Sequence, residues 1–193
     1  MSSGRPAVFL DRDGVLNRAI VRNGRPYPPA SLAQLEILPG VPQALARLQQ
    51  AGFLTLVVTN QPDVATGKTT QAIVDRIHDT LRGTLALDAI YTCTCVEGPG
   101  CDCYKPRPGM LIRAACEWGV DCRKSFMIGD RWRDIGAGKA AGCRTIFIDY
   151  NYAEPRPNSP DFLAQDLAEA VDIVLAARQA TWPVRVTHRG NTC

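Results

Sequence analysis

The stretch Ala7-Val-Phe-Leu-Asp-Arg-Asp-Gly-Val-Leu16 decides how this chain is read. Its apolar start is continuous rather than alternating, which predicts a strand of a parallel sheet buried on both faces. The run breaks at Asp11, and Asp13 and Gly14 follow. Two carboxylates therefore sit in the loop beyond the strand's C-terminal end, where open α/β sheets place their ligand crevice. Two acids at this spacing can share a hard cation while one attacks and the other moves a proton. The bland alternative is a turn, since Asp-Gly is common turn chemistry.

Working outward, apolar strand-like runs alternate with helical periods. Asn17 to Ser31 is polar and Pro-rich and reads as a loop over the crevice. Pro39-Gly-Val-Pro42 opens a helix through Gln50, with Gly52 as its stop. Phe53 to Val58 reads as a strand ending at Thr59-Asn60-Gln61. Residues 69–82 carry a helical stripe including Ile73, Ile77 and Leu81. Ala89-Ile-Tyr91 is a short strand, residues 109–118 a helix, and Ser125 to Ile128 a strand ending at Gly129-Asp130. A short helix from Arg133 to Ala141, a strand over Thr145 to Ile148 and a last helix from Asp161 to Arg178 complete the pattern. Such βαβ alternation predicts an α/β fold, a doubly wound, Rossmann-like parallel sheet flanked by helices. One domain is expected over residues 1–180, followed by a tail over 181–193.

Bulk properties narrow the function classes. The chain has 193 residues and a formal charge of +3, too mild to suggest nucleic acid. It has no apolar stretch long enough to cross a bilayer and no secretory pattern, so a cytoplasmic protein is expected. Thiols stay reduced there, and eight cysteines need another explanation than disulfides. Four of them, Cys93, Cys95, Cys101 and Cys103, lie in one loop spanning 92–104, with Gly98-Pro99-Gly100 as its turn. Four thiolates around one ion form a closed structural zinc site. A redox pair or disulfides are the alternatives, although a Cys-x-Cys ring is awkward to close. Cys116, Cys122, Cys143 and Cys193 are scattered and read as ordinary packing or tail residues.

The strand ends carry complementary chemistry. Asp11, Asp13 and Asp130 suit Mg²⁺, Thr59 suits a phosphoryl oxygen, and Lys105 suits its charge. Asp134 lies four residues beyond Asp130. Parallel strands aim these groups at one edge, and in-line phosphoryl transfer needs this set of parts. Each has a dull reading too: Thr59-Asn60 as a helix cap, Lys105 as a surface lysine, Asp134 as a helix-start acid.

Four segments resemble, in order, the motifs of the haloacid dehalogenase superfamily of phosphatases. They are Asp-Arg-Asp-Gly-Val-Leu-Asn17, Val-Val-Thr-Asn-Gln61, Lys-Pro-Arg-Pro-Gly-Met110 and Ile-Gly-Asp-Arg-Trp-Arg-Asp134. The cysteine loop with the lysine motif is similar to the D-glycero-D-manno-heptose 1,7-bisphosphate phosphatases, with histidinol-phosphate phosphatases close behind. The resemblance implies a fold without a large cap, the zinc loop taking its place. It implies Asp11 as nucleophile, Asp13 as acid and base, and Thr59 and Lys105 as phosphoryl-binding groups. Mg²⁺ would sit on Asp11, Asp130 and the backbone carbonyl of Asp13, and zinc on the four cysteines, with Asp134 close behind. Substrate contacts are implied at Arg12, Ala19, Ile20, Val21, Arg22, Asn60, Gln61, Pro62, Tyr104, Arg107 and Arg131. Pro62 and Tyr104 depart from the family pattern, which has serine and arginine there, so one backbone donor and one cation are missing.

The implied reaction is Mg²⁺-dependent removal of the C7 phosphate of heptose 1,7-bisphosphate, in the making of nucleotide-activated heptose for surface polysaccharide. A small phosphorylated sugar is the expected partner, with no nucleic acid or membrane, and a monomer is expected. Histidinol-phosphate or another sugar-phosphate phosphatase is the alternative enzyme. A phospho-accepting receiver domain would share the sheet, the strand-end aspartate, the hydroxyl and the lysine, but it lacks an acid in the place of Asp13. A zinc-ribbon interaction module would make the aspartates dispensable.

Overall fold

The alternating pattern folds into a six-stranded parallel sheet. The computed structural model describes residues 4–179. β1 (Ala7–Leu10) is followed by a small antiparallel hairpin, β2 (Ile20–Arg22) and β3 (Arg25–Tyr27). Next come α1 (Val41–Gln50), β4 (Leu54–Asn60), α2 (Gln71–Thr84), β5 (Ala89–Cys93) and α3 (Gly109–Trp118). The second half holds β6 (Phe126–Gly129), α4 (Trp132–Ala141), β7 (Arg144–Ile148), β8 (Phe162–Ala164) and α5 (Leu167–Gln179). Across the sheet the order is β5-β4-β1-β6-β7-β8, with every pairing parallel.

That order locates the crevice. The chain runs outward from β1 through β4 to β5, then returns to β6 on the other side of β1. The reversal makes β1 the switch point, and ligands of open α/β sheets bind beyond its C-terminal end. Leu10 pairs with Val57 on one flank and Ile128 on the other. The residues just after these positions therefore emerge side by side at one edge.

The continuous apolar runs follow from cores on both faces. Val8 and Leu10 join Val57, Ile128, Ile146 and Ile148 under Leu45, Ile77, Leu81 and Val171. Ala7 and Phe9 face the opposite way, with Leu56, Val58 and Met127, against Met110, Leu111 and Ala137. Both registers of the inner strands are thus buried, and the polar residues within them, such as Thr55 and Thr145, are hydrogen-bonded. Thr70 caps α2 by accepting from the Ile73 amide at 3.3 Å, and left-handed glycines close α3 (Gly119) and α4 (Gly142).

Two elements differ from the sequence expectation. The segment from Asn17 to Ser31 is not all loop, because β2 and β3 pair around Asn23-Gly24, both at positive φ (50° and 73°). This is the turn chemistry of a two-residue hairpin. The last expected helix begins late, since Phe162–Ala164 adds an edge strand before α5. Asp161 fixes that edge by accepting from both the amide and the hydroxyl of Thr145, each at 2.8 Å. The expected tail over 181–193 lies outside the described residues. Among the described residues, no helix is long and apolar enough to cross a membrane.

Candidate active site

The C-terminal ends of three central strands deliver a cluster of opposite charges. Asp11 follows β1 directly, its amide bonded to the Ile128 carbonyl at 3.0 Å. Lys105 is buried, and its ammonium donates to three oxygens. These are Asp11 Oδ1 at 2.8 Å, Asp134 Oδ1 at 2.6 Å and the Val58 carbonyl at 2.7 Å. All three N–H bonds are thereby directed, so the charge is held in one place. Asp134 is held in turn, since its Oδ2 accepts from the Arg131 amide at the start of α4 at 2.9 Å.

Asp130, at the end of β6, is the anomaly. It is 1% exposed, and among the described residues neither carboxylate oxygen has a hydrogen-bond partner of good geometry, the nearby Tyr152 hydroxyl being a polar neighbour able to donate. Burying an unpaired carboxylate is costly, so such a group implies a cation. Ligand oxygens of Asp11, Asp130 and Asp134 lie within 4.8 Å of one another, the compactness a hard cation with carboxylate ligands requires. Gly14 shapes the same spot. Its φ is +87°, and a Cβ there would lie 1.9 Å from Asp130 Oδ2. The donor set and the crowding around Asp130 therefore fit Mg²⁺.

Electrostatics express the same conflict. Burial pushes the Asp11 carboxyl up to about 6, against the pull of Lys105 and with added repulsion from Asp134 and Asp13. Burial, then Asp11 and Asp134, raises Asp130 well above the usual carboxylate range. Burial works to lower Lys105, but Asp11 and Asp134 outweigh it and hold the ammonium charged. A dication among these carboxylates supplies what the protein alone lacks.

A cleft of about 260 Å³ opens onto Asp11, Asp13, Lys105 and Asp134. Its walls are Arg25 to Pro28 of the hairpin, Asn60 to Asp63 in part, Tyr104, Arg131, Arg133 and Glu154. Of the expected substrate contacts, Asn60, Pro62, Tyr104 and Arg131 line it. Ala19, Ile20, Val21 and Arg22 do not; their hairpin partner β3 faces the cleft instead. Arg12 and Gln61 are buried behind it, and so is Thr59, whose hydroxyl accepts from Gln61 Nε2 at 2.9 Å. Arg107 turns to the cysteine loop, donating to the carbonyls of Gly98 and Cys101. Arg131 is paired with Glu154 at 2.5 Å, and Arg133 lies over the rings of Trp132 (4.4 Å) and Tyr104 (5.9 Å).

Arg25, Tyr27, Arg133 and Glu154 line the cleft without being anticipated from the sequence. Arg133 stood within the fourth motif and Arg25 beside an Asn-Gly turn, so those two had a local signal. Glu154 had none, since it reaches the cleft from an irregular segment after β7.

The cysteine loop joins β5 to Lys105. Cys93, Cys95, Cys101 and Cys103 bring their sulfurs within 4.8 Å of one another. The separations are 3.5 Å for Cys93–Cys101, 3.2 Å for Cys101–Cys103 and 4.0 Å for Cys95–Cys103. These exceed a disulfide bond, and all four thiols are free. A tetrahedron with Zn–S bonds of about 2.3 Å has edges of roughly 3.8 Å, close to what is found. Burial raises Cys93 and Cys103; at Cys101 it acts the same way, but the hydrogen bonds the sulfurs share lower that thiol, so the cluster without a metal favours a thiolate at Cys101 only and a cation would have to stabilise the others. The donor set fits zinc.

Comparison with known proteins converges on one group. A HAD-hydrolase-like family model matches residues 102–170. The D-glycero-D-manno-heptose-1,7-bisphosphate 7-phosphatase of Thermosynechococcus vestitus is 35% identical over 191 residues, covering 87% of this chain and 94% of that protein. The D-glycero-beta-D-manno-heptose-1,7-bisphosphate 7-phosphatase of Escherichia coli K12 is 37% identical over 184 residues, covering 88% and 93%. Among solved structures, the D,D-heptose 1,7-bisphosphate phosphatase of B. bronchiseptica, complexed with magnesium and phosphate, superposes with a TM-score of 0.72. It is 30% identical and covers 89% of this chain and 99% of its own.

Proposed function

The chain belongs to the heptose 1,7-bisphosphate 7-phosphatase family of HAD-like hydrolases, and we propose that it hydrolyses the C7 phosphate of D-glycero-D-manno-heptose 1,7-bisphosphate. It is a phosphatase, and Mg²⁺ dependence and an aspartyl-phosphate intermediate follow from the family. The observation that carries the assignment of residues is the buried cluster of Asp11, Lys105, Asp130 and Asp134 at the switch point of the sheet.

In this reading Asp11 attacks phosphorus. A bond forms between its carboxylate oxygen and phosphorus as the bond from phosphorus to the C7 oxygen breaks. Asp13 gives a proton to the departing sugar oxygen. It then takes one from the water whose oxygen bonds to phosphorus as the link to Asp11 breaks, releasing phosphate. Lys105 fixes the Asp11 rotamer and sets a positive charge beside the transferring group, held by Val58 and Asp134. Thr59, one residue before the end of β4 and behind the cleft wall, keeps its hydroxyl proton, and donating it to a phosphoryl oxygen would require the phosphoryl group to sit deep against β4. Asp11, Asp130 and the Asp13 carbonyl would hold Mg²⁺, which when bound neutralises charge on the phosphoryl group and between the carboxylates. Zinc on the four thiols would order the loop that delivers Tyr104 and Lys105.

The cleft supports a substrate with a second anionic group. Arg25 is the lining arginine that could meet it, since it forms no ion pair among the described residues, whereas Arg131 is paired with Glu154 and Arg133 with Glu97. Asp13 beside Asp11 favours turnover over the phosphorylated resting state of a receiver domain. The test is phosphate release by the purified Mg²⁺-supplemented protein from both anomers of the heptose bisphosphate and from histidinol phosphate. The bisphosphate is expected to have the highest kcat/KM, with Asp11→Asn inactive. Faster turnover of histidinol phosphate, or an active Asp11→Asn, would overturn the assignment.

A further inference from the structure

Asp13 is held by a network that begins on a different element. Its Oδ1 accepts from Arg12 Nε at 3.1 Å, Arg12 Nη2 at 3.0 Å and Asn17 Nδ2 at 2.9 Å. Its Oδ2 accepts from Arg12 Nη2 at 2.9 Å and Gln61 Nε2 at 2.8 Å. Arg12 itself is completely buried, without contact with the cleft. Its remaining Nη1 meets Nε2 of His78 at 3.0 Å, and His78 is 3% exposed on the inner face of α2.

The donor in that pair is fixed by chemistry. A guanidinium has no acceptor, so His78 accepts through Nε2 and carries its proton on Nδ1. A buried guanidinium needs each N–H directed. With Nη1 pinned to α2, the Nε and Nη2 edge of the planar fork faces Asp13. Without the histidine acceptor, Nη1 loses its tether to α2, and the guanidinium, still paired with Asp13, is free to shift and carry the carboxylate with it.

We infer that His78, acting through Arg12, is a positioning residue that aims the Asp13 carboxylate at the leaving oxygen. The inference rests on the acid role of Asp13 given above. A purely packing histidine would affect every substrate alike. A positioning role predicts a loss that depends on how much the leaving group needs a proton, which separates a sugar alkoxide from p-nitrophenolate.

The experiment compares kcat/KM, which reports steps up to departure of the leaving group, for heptose 1,7-bisphosphate and p-nitrophenyl phosphate. His78→Leu removes the acceptor, while His78→Gln keeps one at similar reach. The expected result is a fall of about tenfold or more in the ratio of sugar to aryl substrate for His78→Leu. His78→Gln should restore the ratio to within about threefold of the parent. If His78→Leu does not fold, His78→Asn, whose acceptor falls short of Arg12, takes its place. Asp13→Asn is measured alongside. A selective loss there, with a uniform or absent loss at His78, overturns the positioning role alone. A uniform loss in Asp13→Asn overturns the acid role and this inference with it. Failure of His78→Gln to restore selectivity also overturns the inference.

Discussion

The carboxamide of Asn60 brackets the peptide of Lys105 from both sides: its Oδ1 accepts from the Lys105 amide at 3.0 Å, and its Nδ2 donates to the Lys105 carbonyl at 3.1 Å. Asn60 is the last residue of β4, and Lys105 arrives from the cysteine loop. The clamp ties the loop to the sheet at the residue whose ammonium touches Asp11. Asn60 lines the cleft, yet its polar atoms are committed to this backbone. Asn60→Ala should therefore lower kcat more than it raises KM. Loss of two part-buried hydrogen bonds should also cost about 1–3 kcal/mol of stability. Steady-state kinetics and denaturant unfolding check both; a change in KM alone would make Asn60 a substrate contact instead.

Gly14 is the second point at which backbone serves the site. An alanine there must adopt a left-handed φ and would place its Cβ against the Asp130 carboxylate. Left-handed backbone alone costs about 1–2 kcal/mol. Displacing Asp130 should add a weaker affinity for Mg²⁺. Gly14→Ala is expected to raise the Mg²⁺ concentration for half-maximal activity at least tenfold. Direct titration of Mg²⁺ binding by calorimetry should show the same shift, and an unchanged Mg²⁺ affinity would remove Asp130 from the cation site.

Much of this was legible because a strand end announces itself. A continuous apolar run that stops at a charged residue gives both the burial of the strand and the place where its chemistry starts. Asp11, Thr59 and Asp130 stand out as candidates in that way, and Lys105 through its motif. What escaped lies where contacts are long-range or elements short. Nothing near His78 in sequence signals a partner 66 residues away, and its helix-face position reads as core. Strand β8 has three residues at a sheet edge, too few for periodicity to register. The hairpin had its Asn23-Gly24 signal, but its strands are short and largely exposed, so the Pro-rich composition read as loop. The cleft lining falls on β3 rather than β2 for the same reason: which strand of a hairpin faces a cleft is a tertiary fact.

The cysteine loop should behave as a folding element fed by metal. Cys101 sits 3.5 Å from Cys93 and 3.2 Å from Cys103, so its removal opens the cluster at its centre. Cys101→Ser is expected to lower zinc content from one equivalent to well below half, as read by elemental analysis. Thermal stability should fall with it, because binding energy at a structural zinc is folding energy. Activity should drop through disorder at Tyr104 and Lys105, and Asn60 should retain part of it by holding the Lys105 backbone. Full zinc content in this variant would refute the four-thiolate site.

Stability towards acid gives the last prediction, again from His78. Burial, then the neighbouring Arg12 and Arg82, lowers its pKa from 6.5 to about 4 against the pull of Asp13 and Asp75. The folded protein therefore keeps the imidazole neutral where the unfolded chain binds a proton. Between pH 6.5 and 4 the unfolded state holds more protons, so unfolding free energy rises with pH across that window. Stability from this residue is complete above pH 6.5 and is lost as the solution is acidified towards pH 4. A shift of this size corresponds to about 3 kcal/mol. His78→Gln does not titrate, so its unfolding free energy should fall less between pH 7 and pH 4.5 than that of the parent. Taking the difference between the two proteins cancels zinc loss and carboxylate protonation, which they share. Parallel pH profiles would mean that the imidazole is solvated rather than held neutral by burial and Arg12.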